Sequence, residues 1–482
     1  MASSKFDVLI IGAGISGINA GYRLQTEFPD RTFLILEARN NLGGTWDLFR
    51  YPGIRSDSDL YTFGLKWFPW NQANPIAKGE DILTYLDDAA ATHNIRQHIR
   101  LNHRVRSANW DGREWFLEVE SQKGIQHLHA QFTIFATGYY DYHNPLEAAI
   151  PGLEDFQGEI IHPQFWPESF DPVGKKIVVI GSGATAVTLV PSLAKDAQSV
   201  TMLQRSPSYL ASMPNEVRHN TRWGPGLIPQ AAVYRFRRLW FLVVPQLFYS
   251  LCQKFPNAAR RLLQAGVQSQ LPPSIPLDPH FTPRYNPWEQ RLCACPDGDF
   301  FRALRSTKAQ VETDLISQVD AHGIRLASGK RLDADTIITA TGLRLQFLGG
   351  IPITIKGQKL DAATKYIWNG LMLEGLPNAM LVLGFTNASW TLGADIAMHL
   401  TCRILRHIWN NNGYASAVPV VENRNDLHDR PVLDLTSTYV KRAVQEMPRA
   451  STQRPWKSRA SYFSDLWFSW FGNIKNGLIF SS

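Results

Sequence analysis

Two glycine-rich runs in this chain have the types and spacing to hold the pyrophosphate of a dinucleotide. Gly12-Ala13-Gly14-Ile15-Ser16-Gly17 reads G-x-G-x-x-G, and Gly181-Ser182-Gly183-Ala184-Thr185-Ala186 reads G-x-G-x-x-A. In such a loop the first glycine permits a tight turn and the second lets the backbone approach the phosphates. The third small residue allows close helix–strand packing, and the N–H groups that open the helix face the anion. Glu37 stands 20 positions after Gly17, where a carboxylate accepts from ribose hydroxyls. The second run has no acid at the matching strand end, which reads Gln204-Arg205-Ser206. A carboxylate there would repel a 2′-phosphate, whereas an arginine forks onto it. Arg205, with Ser206 beside it, therefore points to NADPH rather than NADH.

Each loop needs a strand before it and a helix after it. Residues 6–11 read as a buried parallel strand, residues 18–25 as a helix, and residues 32–36 as the strand that delivers Glu37. Residues 177–180 repeat the first strand, an apolar helix starts at Val187, and residues 200–203 repeat the second. Residues 132–138 and 335–342 both read as strands closing in Ala-Thr-Gly, where the chain leaves one sheet and returns to it. The expected class is α/β, with two dinucleotide-binding, Rossmann-like domains and a helical insert in the second. FAD would be bound by 1–141 with 341–482, and NADPH by 171–207 with 286–340. A linker spans 142–170 and the insert 208–285.

The totals agree. A chain of 482 residues exceeds one hydrophobic core. Its net charge of +7 is scattered, which suits anionic cofactors or an anionic membrane surface and excludes a nucleic-acid footprint. The four cysteines, Cys252, Cys293, Cys295 and Cys402, form no C-x-x-C pair and no zinc spacing, so no metal is expected and a reducing, cytoplasmic setting fits. The N-terminus runs straight into a strand without a signal peptide, and no apolar run is long enough to span a bilayer. The apolar stretch 239–249, bracketed by Arg235, Arg237, Arg238, Lys254, Arg260 and Arg261, reads as an insert helix packed on the second domain. Its sharper reading is an interfacial element collecting an apolar substrate at a membrane surface. Residues 435–447 read as an amphipathic helix, and 462–471 as an aromatic segment that packs on the first domain or touches lipid.

Two further runs go beyond nucleotide loops. Asn40-Asn41-Leu42-Gly43-Gly44-Thr45-Trp46-Asp47-Leu48 continues into Phe49-Arg50-Tyr51-Pro52-Gly53-Ile54-Arg55-Ser56-Asp57. A glycine pair so soon after the first loop suggests a backbone held close to a ligand longer than NAD, namely FAD. Trp46 offers a flat surface or core packing, Arg55 and Asp57 a ligand contact or a surface ion pair, and Val105 an adenine border or plain core. Between the two halves lies Phe156-x-Gly158-x-x-x-His162-x-x-x-Trp166-Pro167, a shaped linker.

Taken together, the two loops, the G-G-T-W run, R-Y-P-G-x-R-x-D and the F-x-G-x-x-x-H-x-x-x-W-P linker resemble the class B flavoprotein monooxygenases of Baeyer–Villiger type. The likeness runs to about residue 400 and is weakest in 210–275 and at the C-terminal end. Residues 43–57 are most similar to the subgroup that includes mycobacterial thioamide-activating and long-chain alkane-oxidising members.

The resemblance implies FAD and NADPH as cofactors, O2 as co-substrate and an apolar ketone or sulfur compound as substrate. It places the active-site arginine at Arg291, in Phe281-Thr282-Pro283-Arg284-Tyr285-Asn286-Pro287-Trp288-Glu289-Gln290-Arg291. The family's C4a-peroxyflavin must stay anionic to attack a carbonyl, and a cation that cannot deprotonate stabilises it. Asp57 would orient that arginine, and His162 would couple the two domains. Thr45, Trp46, Asp47, Leu48, Arg55, Ser56, Asp57 and Val105 join the first loop and Glu37 as FAD contacts. The loop 181–186, Val187, Arg205 and Ser206 face NADPH. Gln290 departs from the lysine of better-known ketone oxidisers and leaves more of the 2′-phosphate to Arg205. Competing expectations are N-hydroxylation or long-chain alkyl oxidation by the same cofactors, a flavin reductase or oxidase, and a non-catalytic nucleotide sensor.

Overall fold

A computed structural model describes residues 4–215, 229–410, 415–433, 435–459 and 461–482. The stretch 216–228 of the expected insert therefore lies outside the described residues. The chain opens with β1 (Ser4–Ile11), α1 (Ile15–Glu27) and β2 (Phe33–Leu36). The parallel register Val8 to Phe33 through Ile11 to Leu36 fixes β1 beside β2. On its other side β1 pairs in parallel with β3 (Gly124–Phe135). An antiparallel meander of His103–Trp110 and Trp115–Ser121 continues the sheet from β3.

β4 (Glu159–Ile161), β5 (Lys176–Ile180), α2 (Ala184–Leu193) and β6 (Ser199–Gln204) begin the second unit. Its all-parallel sheet is completed by β7 (Ala309–Thr313) and β8 (Thr336–Thr339), in the order β7-β6-β5-β8-β4. After β8 the chain returns to the first sheet, where β9 (Ala379–Leu381) pairs in parallel with the end of β3.

Side-chain alternation, two residues per repeat, puts both faces of each sheet in a core. Val8 and Ile10 enter one core of the first sheet, and Leu9 and Ile11 the opposite one. In β5, Ile177 and Val179 enter one core, and Val178 and Ile180 the other. Cutting a residue such as Ile10 to alanine would cost about 2–5 kcal/mol, because the site cannot collapse around the lost methyls.

The shaped linker contains β4, which forms the edge of the second sheet with Glu159–Ile161 opposite Thr336–Ile338. Phe156 is buried in that sheet's core, and a Cβ on Gly158 would stand 2.4 Å from the Asp335 carbonyl oxygen. The insert provides α3 (Gln230–Lys254) and α4 (Pro256–Gln268). Contrary to the expected packing on the second domain, α3 lies on the first: Tyr234 and Phe241 pack on its core, and Arg237 donates to Tyr61 Oη at 2.9 Å. The helix expected over 435–447 shrinks to Thr438–Ala443. The helix α5 (Trp390–Asn410) runs past Arg403, and α6 (Tyr462–Phe471) packs on it.

Candidate active site

Both glycine loops are built alike. Gly12 has φ +105°, and a Cβ on it would lie 2.6 Å from the Ala136 carbonyl oxygen. Gly181 has φ +140°, and a Cβ on it would lie 2.2 Å from the Ala340 carbonyl oxygen. The two Ala-Thr-Gly strand ends are thus the walls that make glycine necessary. Gly14 and Gly183 open α1 and α2 with no side chain capping either helix. Their first N–H groups are left for an anion, aided by the helix dipole. Gly183 has open space where a Cβ would stand, and Gly14 faces the backbone of Gly44. These two uncapped cradles fit a pair of dinucleotides.

Around the first loop, Glu37 is buried and accepts from Ala13 N at 2.7 Å and Arg39 N at 2.9 Å. Burial raises its carboxyl above the ordinary range, opposed by those two bonds. Ser16 Oγ meets Trp390 Nε1 at 3.0 Å. Thr45 Oγ1 meets Tyr142 Oη at 3.1 Å, and Trp46 stands edge-on to Phe63. Asp47 is fully buried and ion-paired with Arg39 at 2.6 Å and Arg50 at 2.8 Å, so it braces the loop.

Four residues expected at FAD also have structural partners. Val105 is core on the meander, because its strand position points into the sheet's packed face. Leu48 is buried in the second unit's core, where the 48–54 segment plugs in. Arg55 crosses to the second unit, pairing with Asp299 and donating to the Ala294 carbonyl at 3.2 Å. Ser56 closes a turn, with Oγ donating to the Ser58 carbonyl at 2.6 Å.

Around the second loop, Ser182 Oγ donates to the Ser206 carbonyl at 2.9 Å, and Thr185 bonds Tyr51. Ala186 and Val187 are core, so only backbone there can meet a phosphate; Ala184 is half-buried. Gln204 is buried, its Nε2 donating to the His280 carbonyl at 2.8 Å and to Thr313 Oγ1 at 2.9 Å. Arg205 and Ser206, one and two residues on, are exposed.

Between the loops stands a charged cluster. Arg291 is held above the ordinary arginine range by Tyr139 first, then Tyr439, Tyr140 and Asp57, against the opposing effect of burial. Burial raises the Asp57 carboxyl, and Arg291 and then Arg55 pull it back. Both side chains are exposed to solvent, with protein groups crowding around them. Among the described residues no ion pair joins them; they meet through the field, not through contact. Tyr139 Oη lies 2.9 Å from Tyr140 Oη, and the Tyr139 ring stacks on Trp390 with centroids 5.0 Å apart. Trp390 reaches Ser16, which completes a path from Arg291 to the first loop.

The three tyrosines escaped the sequence reading. Tyr139 and Tyr140 follow directly on Ala-Thr-Gly, where a strand ends at the ligand side, and that position was the available signal. Tyr439 had none, since it arrives from a distant segment. His162 stands outside this cluster: its Nδ1 accepts from Gln164 N at 3.2 Å, and burial lowers its pKa. Gln164 Nε2 then donates to the Asp141 carbonyl at 2.7 Å, fastening the linker to the first strand crossing. Cys293 and Cys295 sit in a buried strand beside Leu210–Met213, and all four cysteines are free. Among the described residues no group of side chains could hold a metal ion.

A fold with two uncapped dinucleotide loops and a cation between them defines a two-nucleotide flavoprotein oxidoreductase. Residues 9–218 match the family described as pyridine nucleotide-disulphide oxidoreductase. The chain is 45% identical to the FAD-containing monooxygenase EthA of Mycobacterium tuberculosis over 471 residues, 96% of this chain and 95% of that one. It is 44% identical to the probable FAD-binding monooxygenase AlmA of Acinetobacter baylyi, over 95% of this chain and 92% of that one. Its fold matches an oxidised steroid monooxygenase bound to NADP with a TM-score of 0.76 at 21% identity, covering 99% of this chain and 100% of that one. The chain belongs to the FAD-containing monooxygenases and carries a mixed α/β fold with Rossmann-like parallel sheets. It is a flavin-dependent monooxygenase.

Proposed function

We propose that this enzyme uses NADPH and FAD to insert one oxygen atom of O2 beside a ketone carbonyl, giving an ester or lactone, and that it also oxidises sulfur. The observation that carries this reading is Arg291, exposed to solvent and held charged in the field of three tyrosines and Asp57. The helix start of α1 would receive the FAD pyrophosphate and Glu37 its ribose. The start of α2 and Arg205 would receive NADPH. Bound FAD, once reduced, supplies the activation of O2. Arg291 contributes a permanent positive charge where negative charge develops on the reacting oxygen and on the substrate carbonyl. Asp57 sets the direction of that charge across the cleft. Tyr139 and Tyr140 hold the wall behind it, and Trp390 ties that wall to Ser16. His162 and Gln164 set the angle between the domains.

The domain limits 1–141 with 341–482, 142–170, 171–207 with 286–340, and 208–285 are part of this proposal, as is a cytoplasmic enzyme that meets the membrane surface. The second reading, oxidation of long alkyl chains or N-hydroxylation, draws support from the broad apolar surface described below.

The test is turnover of an aliphatic ketone under 18O2 with NADPH. The expected result is an ester carrying one labelled oxygen. Arg291→Ala should still consume NADPH but release hydrogen peroxide. An unlabelled product, or equal ester formation by the variant, would overturn the role given to Arg291.

A further inference from the structure

The segments 230–254 and 462–471 are more than 200 residues apart in the sequence, and the fold brings them together. Leu242 of α3 and Tyr462 and Leu466 of α6 pack on the same small core of Phe385, Leu392 and Ile396. Each helix is firmly fixed on its inner side. Arg237 and Arg238 bind α3 to Tyr61, and Arg403 donates to the Phe468, Ser469 and Gly472 carbonyls that end α6. Among the described residues the outer faces have no such hydrogen-bonded anchors.

On α3, Phe236, Trp240, Val244 and Leu247 fall three or four apart and are exposed, Phe236 at 67%. On α6, Phe463, Trp467 and Trp470 repeat the spacing, with Trp467 at 62%. Phe255 and Leu262 extend the strip beyond α3. Large aromatic and aliphatic groups in two adjoining stripes exceed the scattered exposure normal for a soluble surface.

Charge narrows the choice of occupant. Residues 229–277 contain six Lys and Arg and no Asp or Glu, against a net +7 for the whole chain. Arg235, Lys254 and Arg261 are exposed at the borders of the stripe. Among the described residues none of the six forms an ion pair with a carboxylate. Uncompensated positive charge opposes stacking against a second copy of the same face and favours an anionic layer. Among the described residues no helix is long and apolar enough to cross a membrane, so the geometry is that of helices lying on the surface.

We propose that the outer faces of α3 and α6 form one docking surface for an anionic lipid bilayer. Beneath the surface, Leu242 and Tyr462 pack on Phe385 and Leu392, and Leu392 lies two residues along α5 from Trp390, which stacks on Tyr139. Docking there would bring a lipid-dissolved substrate to the side of the molecule that carries α5 and Trp390. This purpose rests on the monooxygenase reading; the docking itself does not.

The experiment is co-sedimentation of the flavin-loaded enzyme with vesicles of phosphatidylglycerol and phosphatidylcholine, and with phosphatidylcholine alone. The wild type should pellet with the anionic vesicles and be released by high salt. Trp240→Ser with Trp467→Ser should weaken binding by about tenfold or more, from the lost apolar insertion. Arg235→Glu with Lys254→Glu and Arg261→Glu should abolish the preference for anionic lipid. All variants should keep their yellow colour and their rate of NADPH oxidation in solution. A wild type that stays in the supernatant with anionic vesicles overturns the proposal, as does undiminished binding by the tryptophan variant. A dimer in sedimentation velocity that the tryptophan substitutions dissociate, without vesicle binding, would assign the face to a second copy. Vesicle binding without labelled ester would leave the docking standing and remove the ketone chemistry.

Discussion

The two dinucleotide loops share one backbone device and differ in what stands at the end of their second strand. In both, a glycine at positive φ passes under the carbonyl of an Ala-Thr-Gly strand end, and an uncapped helix follows. In the first half the strand delivers buried Glu37, bonded to Ala13 and Arg39 backbone. In the second it delivers buried Gln204, which faces inward to His280 and Thr313, and then exposed Arg205. The loop backbone is common to both, and under the proposed function the side chain after the strand would choose the nucleotide. A carboxylate selects ribose hydroxyls, and an arginine with a neutral, inward-turned neighbour selects a phosphate.

The largest effect should come from breaking the shared device on one side at a time. Gly12→Ala would force a Cβ into the Ala136 carbonyl and should weaken FAD by about 100-fold or more, about 2.8 kcal/mol. The protein should then purify colourless. Gly181→Ala should purify yellow and fail to be reduced by NADPH, read as flavin bleaching in an anaerobic stopped-flow cell. If both variants lost flavin equally, the division of labour between the halves would be wrong.

Next in size is the cation between the halves. Arg291→Lys keeps a charge but loses the planar fork, and should lower ester formation by about 10²–10³ with flavin reduction little changed. A parallel fall in reduction rate would place Arg291 in NADPH binding instead.

Arg205→Ala sharpens the comparison directly. KM for NADPH should rise by about tenfold, or ~1.4 kcal/mol, with KM for NADH unmoved. Equal changes for both would mean that Arg205 recognises something other than the 2′-phosphate.

The smallest effect concerns acids of the first half. Burial pushes the Asp59 carboxyl up to about 6, with Thr62 opposing. A raised folded-state pKa gives stability that is present below about pH 4 and is lost as pH rises through about 6. Asp59→Asn should therefore gain on the wild type by about 2 kcal/mol in urea midpoints between pH 4 and pH 8. In the second half Asp320 is lowered to about 2, chiefly by Arg331, on an exposed surface, and Asp320→Asn should shift midpoints far less.

The residues that were readable in advance are those whose partners are near in sequence. Strand, loop and helix around Gly12 and Gly181 are contiguous, so hydrophobic runs and glycine spacing locate them. Glu37 and Arg205 follow at a fixed distance for the same reason. For Val105, Leu48 and Arg55 the sequence left both a ligand contact and a structural place open, because only packing decides whether a side chain at a strand end or turn meets a ligand, a core or another domain. The insert helix was assigned to the wrong domain because its own sequence shows that it needs a partner, and not which one.

The sequence by itself located the two glycine loops and the strand ends that follow them, because the strand, loop and helix of each are contiguous and set by local backbone geometry. The tertiary structure alone decided the rest. It gathered Tyr139, Tyr140, Tyr439 and Asp57 around Arg291, paired Arg55 with Asp299, and laid the stripes of α3 and α6 side by side. Those contacts join residues tens to hundreds of positions apart. Their formation depends on which apolar faces the whole chain must bury together, a quantity that no short stretch of sequence contains.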